Sequence, residues 1–338
     1  MSQNKNLVII NNEKVSQKAN SFYCDNIDMK SIPEGLSNKL EVLFIGRKSI
    51  VEKFHKINLK RIIIKSNIFS FLFAIFKTFK NKETNYLLIS ISPYTFFSYL
   101  FLFIFRKKIF IYLRSNGYEE YKAILGFIGP IIYHVMYIFV TFGSKIIVCQ
   151  KRLAKNRESN LVFPSELDNN WLENTTKAEI DIPKLLYVGR IKVEKGIFSL
   201  IKIFNQITIE AELTILGKIK NIKKNNEKIN FINYCNNTSE LVKIYDNHNI
   251  IILPSFTEAH PKVIDESLAR KRPVIVFNEI SHVIQNRSGV FVSKRNINSL
   301  IETIEFIMKN YLKIQNDILK NKLPTKQSFI SQMIDILR

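Results

Sequence analysis

The chain has 338 residues, enough for two domains of ordinary size. Hydrophobic residues make up 46% of it and charged residues 23%, a composition that excludes a disordered chain. The net charge of +21 indicates an anionic partner such as a phosphorylated small molecule or an acidic membrane surface. A lysine-rich composition common to all proteins of the source would give the same excess of positive charge. No basic run is long enough for a nucleic-acid tail.

The N-terminal region contains one short apolar run, residues 7–10, which is too short for the core of a signal peptide. Cys24, Cys149 and Cys235 are odd in number and far apart, so the sequence predicts neither a disulfide framework nor a zinc site. We therefore expect a protein that stays in the cytoplasm under reducing conditions.

Short apolar runs alternate with segments of helical length along the whole chain. This alternation predicts an α/β protein whose doubly wound parallel sheets are buried on both faces. The predicted strands are 7–10, 42–45, 61–64, 86–91, 109–113 and 145–148 in the first half, and 184–188, 212–216, 229–233, 250–253 and 273–277 in the second.

A polar stretch, 156–183, separates the two series of strands and has no clear periodicity. It predicts a first domain over 1–163, a linker over 164–183 and a second domain over 184–338. In sheets of this kind ligands bind beyond the carboxyl ends of the strands, so we expect loops of both domains to line one cleft.

Two apolar segments of the first half, 86–105 and 124–142, are long enough for transmembrane helices. Serine and proline divide the first into a strand and a helix, and glycine and proline interrupt the second. Arg106, Lys107 and Lys108 follow the first segment directly. We favour docking of these aromatic helices at the interface of an anionic bilayer over burial in the core, and burial over a true span.

A glycine and two cations follow the predicted strand 184–188 in the sequence LLYVGRIKVEKGIFSL. Gly189 permits a tight turn, and Arg190 and Lys195 can converge on phosphate oxygens before the helix that begins after Gly196. Such a pair would neutralise a diphosphate leaving group. An ordinary strand-to-helix loop with solvated basic residues has the same local pattern.

Two glutamates flank a proline in the sequence PSFTEAHPKVIDESLARKRPVIVF. Pro261 fits the first position of a helix, which places Glu258 in the preceding loop and Glu266 inside the helix. The helix N-terminus offers N–H groups to a phosphate, and a carboxylate further along accepts hydrogen bonds from sugar hydroxyls. The two motifs together predict a nucleotide-sugar site.

Residues 184–295 resemble retaining glycosyltransferases of the GT-B fold, most closely glycosyltransferase family 4 (glycosyl transferases group 1). The likeness rests on the GR...EKG loop, the turn at 213–217, the PSFTEAHP...DES segment and the PVIVF strand, and over the first half it is architectural only. It implies two Rossmann-like domains that face a central cleft.

The resemblance also implies the roles of individual side chains. Arg190 and Lys195 hold the donor diphosphate, Glu258 contacts the donor sugar, and Glu266 binds the ribose hydroxyls. The catalytic candidates are accordingly Arg190, Lys195 and Glu258. The donor-binding candidates are Gly189, Arg190, Lys195, Glu258, Ala259, His260, Pro261, Lys262, Val263 and Glu266.

The chain departs from the family pattern at several positions. Ala259 and His260 follow the first glutamate where relatives usually have glycine, and Lys271 replaces the small residue expected before a basic residue and proline. His260 can thus touch the donor sugar or phosphate. No glycine-rich loop follows the first strand.

A histidine near the reaction centre of many relatives is also missing from the loop after the fifth strand. That loop contains the candidates for the acceptor or phosphate side, Arg114, Asn116 and Gly117. Arg114 either stabilises the departing phosphate or pairs with Glu119 or Glu120; the sequence leaves both open.

The sequence has no Asp-x-Asp motif and no His/Cys/Asp cluster at ligand spacing, so we expect no metal and no cofactor besides the donor. The predicted function is retaining transfer of a sugar from a nucleotide-diphosphate donor to a saccharide or lipid-linked acceptor, such as an intermediate of capsule, lipopolysaccharide or O-antigen. The expected site of action is the inner face of the membrane, without nucleic acid. The alternatives are an inactive GT-B binding protein, an integral membrane protein and a GT-B epimerase.

Overall fold

The computed structural model describes residues 5–81, 83–218, 227–233, 235 and 237–338. The strands are β1 (Asn6–Lys18), β2 (Ser21–Cys24), β3 (Glu41–Lys48), β4 (His55–Ile57), β5 (Ile62–Lys65), β6 (Thr84–Ile89), β7 (Lys108–Leu113), β8 (Lys145–Val148), β9 (Asn160–Leu161), β10 (Lys184–Val188), β11 (Glu212–Leu216), β12 (Ile229–Ile232), β13 (Ile250–Leu253), β14 (Val274–Phe277) and β15 (Val290–Ser293). The helices are α1 (Asp28–Ser37), α2 (Ile68–Phe76), α3 (Pro93–Ile104), α4 (Gly117–Leu125), α5 (Gly129–Phe142), α6 (Asn169–Leu172), α7 (Ile197–Phe204), α8 (Thr238–Asp246), α9 (Lys262–Ala269), α10 (Ile297–Lys309), α11 (Tyr311–Ile318) and α12 (Lys326–Leu337).

The chain divides into two compact units, Met1–Pro164 with Gln327–Arg338, and Ser165–Lys326. The sequence-based division differs at two places: residues 165–183 pack with the second unit, and the final helix packs with the first. α12 buries its apolar face there, since Phe329 and Met333 are inaccessible. The Asn85 side-chain amide also donates to the Leu337 carbonyl over 2.6 Å.

Each unit contains one parallel sheet covered by helices. In the first unit the parallel order is β5-β3-β1-β6-β7-β8-β9, and in the second it is β12-β11-β10-β13-β14-β15. Every residue of β6, β13 and β14 is buried, as expected of strands covered on both faces. The predicted α/β class with two Rossmann-like halves is confirmed.

The structure contains strands that the sequence analysis did not predict, namely β2, β4, β9 and β15. β1 also continues to Lys18, past a shift of register between Ile10 and Lys14, and pairs with β2 as an antiparallel hairpin. The polar sequence after Ile10 hid this extension. Many members of the family that the sequence resembles have a glycine-rich loop after the first strand, whereas this chain has a hairpin there, and β4 pairs with β2 at its edge.

The apolar segment Gly117–Phe142 is long and apolar enough for a membrane span by length and composition, with a mean hydropathy of 2.0. It is nevertheless broken at Gly126, whose φ is 64°. α4 has 9 residues and α5 has 14, so at 1.5 Å per residue the longer helix reaches about 21 Å, short of a hydrocarbon core of about 30 Å. Neither helix is long enough to span a bilayer by itself.

Candidate functional site

The first motif forms a tight turn after β10. Gly189 continues the sheet by donating its N–H to the Leu216 carbonyl over 3.0 Å. The Tyr187 hydroxyl donates to the Arg190 carbonyl over 2.7 Å, which fixes the backbone of the turn. The Arg190 side chain is exposed beyond it. The backbone of Arg190, the predicted diphosphate-binding cation, is therefore fixed by hydrogen bonds.

Gly196 brings the first motif against the second. Its φ is 67°, in the left-handed region that favours glycine, and it caps the N-terminus of α7. A β-carbon at this position would lie 1.8 Å from the Pro254 carbonyl oxygen. The Phe256 N–H also donates to the Glu194 carbonyl over 3.0 Å. Only glycine permits this approach of the two loops.

Lys195 and Glu258 meet where these loops touch. The Lys195 ammonium donates to Glu258 Oε1 over 2.5 Å, and the Ser255 hydroxyl donates to the same oxygen over 2.7 Å. The two charged side chains remain 20% and 12% exposed, so a ligand can reach them. The two predicted motifs, more than sixty residues apart in sequence, thus form one site.

Glu258 lies in the loop before α9 and Glu266 lies inside that helix, as predicted. Pro261, the predicted first helical residue, is instead the N-cap with an extended backbone (φ −77°, ψ 111°), so the helix begins one residue later, at Lys262. Lys262, the first residue of the helix, donates from its ammonium to Glu166 Oε1 over 2.8 Å. Val263 packs against the core of the unit.

Glu266 is a carboxylate enclosed by protein. It keeps some accessible surface, but burial raises its pKa to about 7, despite a 2.7 Å hydrogen bond that it accepts from the Tyr245 hydroxyl. Tyr245 is fully buried, and its own pKa is raised by burial and by the neighbouring carboxylate. A carboxylate accepts hydrogen bonds from hydroxyl groups more strongly than the protonated carboxyl does, so the affinity of Glu266 for such donors depends on pH.

Ala259 and His260 follow the first glutamate, where relatives usually have glycine; Ala259 is buried, and the side chain of His260 is only 3% exposed. His260 Nε2 lies 3.1 Å from Asp265 Oδ2, and Arg287 binds the other oxygen of the same carboxylate. Within the part of the chain that the structure describes, His260 Nδ1 has no hydrogen-bond partner. His260 is therefore held through Nε2 inside the second unit.

Lys271 shows why relatives have a small residue at this place. Its φ is 57°, and it follows the last turn of α9. The Arg272 N–H donates to the Ser267 carbonyl and the Lys271 N–H to the Leu268 carbonyl, which is the hydrogen-bond pattern of a Schellman C-cap. Glycine adopts this conformation without the steric cost of a β-carbon.

Arg295 is a residue of this site that the sequence analysis missed. Its guanidinium donates to the Pro254 carbonyl over 2.9 Å and lies 4.1 Å from the centre of the Phe256 ring. It also donates to Glu279 over 2.6 Å. Arg295 follows β15, a strand that was not predicted. The sequence analysis therefore did not place Arg295 at the sheet edge where the loops after β10 and β13 lie. It holds the loop that contains Glu258.

Arg114 lies in the first unit and pairs with Asp28 rather than with Glu119 or Glu120. This ion pair compensates the Arg114 charge, which one of the two predicted roles assigned to the departing phosphate. Asn116 is the N-cap of α4, and its side chain makes no capping hydrogen bond there; Gly117 is buried beside the Tyr133 ring.

Residues 173–323 match the family model described as Glycosyl transferases group 1. An uncharacterized glycosyltransferase of Haemophilus influenzae is 23% identical over 219 residues, which cover 59% of this chain and 61% of that protein. The capsular polysaccharide biosynthesis glycosyltransferase CapM of Staphylococcus aureus is 27% identical over 43% of this chain and 42% of its own length. The match thus spans about three fifths of the first relative and two fifths of the second.

The crystal structure of Anabaena Alr3699/HepE in complex with UDP superposes with a TM-score of 0.73 at 10% identity, covering 98% of this chain and 99% of that one. This likeness shows the fold, which is GT-B. The family match over the second unit and the fold of the whole chain together support a GT-B glycosyltransferase.

Proposed function

We propose that this chain is a retaining, family 4 glycosyltransferase that moves a sugar from a nucleotide-diphosphate donor to a saccharide or lipid-linked acceptor. The main support for this proposal is the contact between Lys195 and Glu258. It places a cation suited to bind phosphate next to a carboxylate suited to bind sugar hydroxyls, beside Gly196, which permits the two loops to approach closely. UDP in the structure of HepE supports a nucleotide donor, and the likeness to CapM supports surface-polysaccharide synthesis.

In the proposed reaction the acceptor hydroxyl oxygen forms a bond to the anomeric carbon while the bond from that carbon to the diphosphate oxygen breaks. The diphosphate leaves with the electron pair and accepts the hydroxyl proton, so no enzyme nucleophile is needed. Arg190 and Lys195 stabilise the charge that develops on the leaving group. Since these two cations would stabilise the leaving diphosphate without a metal ion, we expect transfer to persist in excess EDTA.

Glu266 offers the test of donor recognition. A panel of nucleotide sugars is screened by thermal shift against the wild type, Glu266→Ala and Glu266→Gln, with the exposed Glu302→Gln as the control. We expect one donor to stabilise the wild type and the control strongly, and both Glu266 variants much less, because the ribose hydroxyls lose their carboxylate. If no nucleotide sugar shifts the wild type, the proposed function is wrong.

The pH dependence of the same experiment follows from the raised pKa. Ribose hydroxyls stabilise the ionised form, so donor binding releases a proton, and affinity should fall as pH drops below about 7, by at most about tenfold per pH unit. In the free protein the folded state holds the Glu266 proton more tightly than the unfolded chain, whose glutamate titrates near 4.5. The free energy of unfolding that this group contributes therefore falls as pH rises from 4.5 to about 7. Glu266→Gln should remove both dependences; a variant that keeps the wild-type profile would contradict the ribose assignment.

We also propose that the first unit docks on the inner face of an anionic membrane. Its helices α2, α3 and α5 are neighbours and expose large apolar side chains, among them Phe69, Phe73, Ile104, Ile131, Phe139 and Phe142. Arg106, Lys107 and Lys108 follow α3 directly, and Arg106 and Lys108 are exposed. An apolar face next to basic residues fits the interface of a bilayer with anionic headgroups.

Replacing Arg106, Lys107 and Lys108 together by glutamine should weaken binding to anionic vesicles. Each basic residue near such a surface contributes about 1 kcal/mol, so the loss is on the order of 100-fold in partition. Flotation with phosphatidylglycerol and phosphatidylcholine vesicles measures it. The matched control removes three exposed lysines of the second unit, Lys313, Lys320 and Lys322. Equal flotation of the two triple variants would count against this docking face.

A further inference from the structure

Glu166 is a charged residue to which the proposed donor chemistry gives no role. It is the second residue of the second unit, in the segment that the sequence analysis assigned to a linker. Its side chain is 16% exposed. Glu166 Oε1 accepts from the Lys262 ammonium over 2.8 Å, and Oε2 lies 3.5 Å from the Lys326 ammonium. A carboxylate that is enclosed in this way acts strongly on neighbouring charges, because little water screens it.

Hydrogen bonds between the two ends of the second unit hold Glu166 in place. The Lys326 N–H donates to the Leu167 carbonyl over 2.9 Å, and the Ser165 hydroxyl donates to the Pro324 carbonyl over 2.7 Å. The Leu167 N–H donates in turn to the Ser165 hydroxyl oxygen over 3.1 Å, and the Leu167 side chain is buried in the core. The backbone on both sides of Glu166 is therefore anchored, which fixes the position of its carboxylate.

Lys262 connects Glu166 with the carboxylate proposed to bind the ribose. Lys262 is the first residue of α9, and Glu266 follows four residues later, at the spacing that places two side chains on the same face of a helix. The Lys262 side chain is 19% exposed, so its charge also acts with little screening. Lys262 thus lies beside Glu166 and one helical turn before Glu266.

The groups around Glu266 act on its ionisation with opposite signs. Burial raises the pKa of Glu266 to about 7. The hydroxyl of Tyr245 on α8 and the ammonium of Lys262 on α9 lower this pKa. The carboxylates of Glu166 and Asp265 raise it, because a second negative charge disfavours the ionised form. Glu166 is the member of this group that comes from outside α8 and α9.

We propose that Glu166 is a positioning residue for donor binding: it holds the Lys262 ammonium and thereby sets the pH range over which Glu266 accepts the ribose hydroxyls. The segment predicted to be a linker then takes part in the donor site. The statement that Glu266 binds the ribose rests on the proposed function, whereas the action of Glu166 on Glu266 does not. Glu166 makes Glu266 harder to ionise, so the site binds its donor less tightly in mildly acidic solution.

NMR of isotope-labelled glutamate carboxyl groups in the free protein tests this proposal without a donor, and the spectrum of Glu266→Gln identifies the Glu266 signal. Glu166→Gln removes a negative charge, so the titration midpoint of Glu266 should move to lower pH. Lys262→Met removes a positive charge, so the midpoint should move to higher pH. Loosening of α9 alone does not produce opposite shifts. A midpoint that stays unchanged in Glu166→Gln, or that moves in the same direction in both variants, overturns the proposal.

Two control variants remove the same charges from nearby positions. Lys326→Met removes the other ammonium that contacts Glu166, but Lys326 does not belong to α9, so the Glu266 midpoint should move much less than in Lys262→Met. Glu173→Gln removes an exposed carboxylate of the same segment and should leave the midpoint unchanged. Shifts in these controls as large as those in the matched variants would mean that Glu266 responds only to the net charge, and would overturn the proposal.

Calorimetric titration with UDP then tests the connection with donor binding. Each variant is compared with the wild type at the same pH, so that the titration of UDP itself cancels. Glu166→Gln should gain affinity relative to the wild type, and this gain should be roughly three- to fivefold larger at about pH 6 than at about pH 8.5, where Glu266 is ionised in both proteins. If the NMR midpoint moves as expected but UDP does not bind, or the gain is equal at both pH values, the action of Glu166 on Glu266 stands and the ribose assignment in the proposed function is wrong.

Discussion

Replacing Lys195 by methionine is expected to lower kcat/KM for sugar transfer by roughly 10²–10³-fold. The Lys195 ammonium lies 2.5 Å from Glu258 Oε1, so the substitution removes a cation and leaves the carboxylate without it. A donor diphosphate would then approach a negative group instead of an ion pair. Both the binding of the donor and the stabilisation of the leaving diphosphate suffer, so kcat falls together with affinity.

Lys192→Met provides the control for this experiment. Lys192 belongs to the same loop, is about half exposed and lies 3.6 Å from Glu194. Its loss removes the same single positive charge as Lys195→Met from the same loop, and we expect kcat/KM to change little. Steady-state kinetics and UDP binding, measured on both variants, separate a specific contact from the general field of the loop. Equal losses for the two lysines would mean that Lys195 acts only as one more positive charge.

The double variant Lys195→Met with Glu258→Gln sharpens the interpretation. If the Glu258 carboxylate repels the diphosphate once its ion pair with Lys195 is lost, neutralising Glu258 should restore part of the UDP affinity that Lys195→Met loses, although transfer stays slow. Such a non-additive result measures the coupling of the two side chains directly. Additive losses would show that Lys195 and Glu258 act on the donor independently.

The convergence of Lys195 and Glu258 could be predicted from the sequence, and the reason is topological. β10 and β13 are adjacent parallel strands, with Leu185 opposite Ile250, so the loops after their carboxyl ends must be neighbours. β13 consists of buried aliphatic residues, and β10 has a buried apolar centre, residues 185–187, which makes both strands easy to recognise. Periodicity and connectivity together were sufficient for this part of the site.

The sequence analysis missed contacts that the periodicity of apolar residues does not indicate. Asp28 and Arg114 are 86 residues apart, and nothing local to either one indicates the partner. Arg295 follows a strand that is only partly buried, so its apolar pattern is weak. The second half of β1 and its hairpin with β2 were hidden because residues 11–14 are polar. In each case a tertiary contact, rather than a local preference, determines the structure.

Asp246→Asn is expected to lower the free energy of unfolding of the second unit by about 3–5 kcal/mol. Arg270 and Arg272 are completely buried, and Asp246 is the carboxylate that compensates them: it accepts from Arg270 Nε over 2.8 Å and from Nη2 over 2.6 Å. The remaining N–H groups donate to backbone carbonyls, including those of Trp171 and Thr176. Without the carboxylate, two guanidinium charges stay buried with neutral partners only.

Trp171, the single tryptophan of the chain, makes this expectation directly measurable. Its ring packs edge-on against Tyr245 with centroids 5.1 Å apart, so its fluorescence reports unfolding of this unit in a urea titration. Asp317→Asn, which removes an exposed carboxylate paired with Lys320, serves as the control and should leave the midpoint nearly unchanged. A shift for Asp246→Asn no larger than the control would mean that the backbone carbonyls alone stabilise both arginines. If the larger shift is found, donor binding should weaken as well, because Tyr245 precedes Asp246 and holds Glu266 by its hydroxyl.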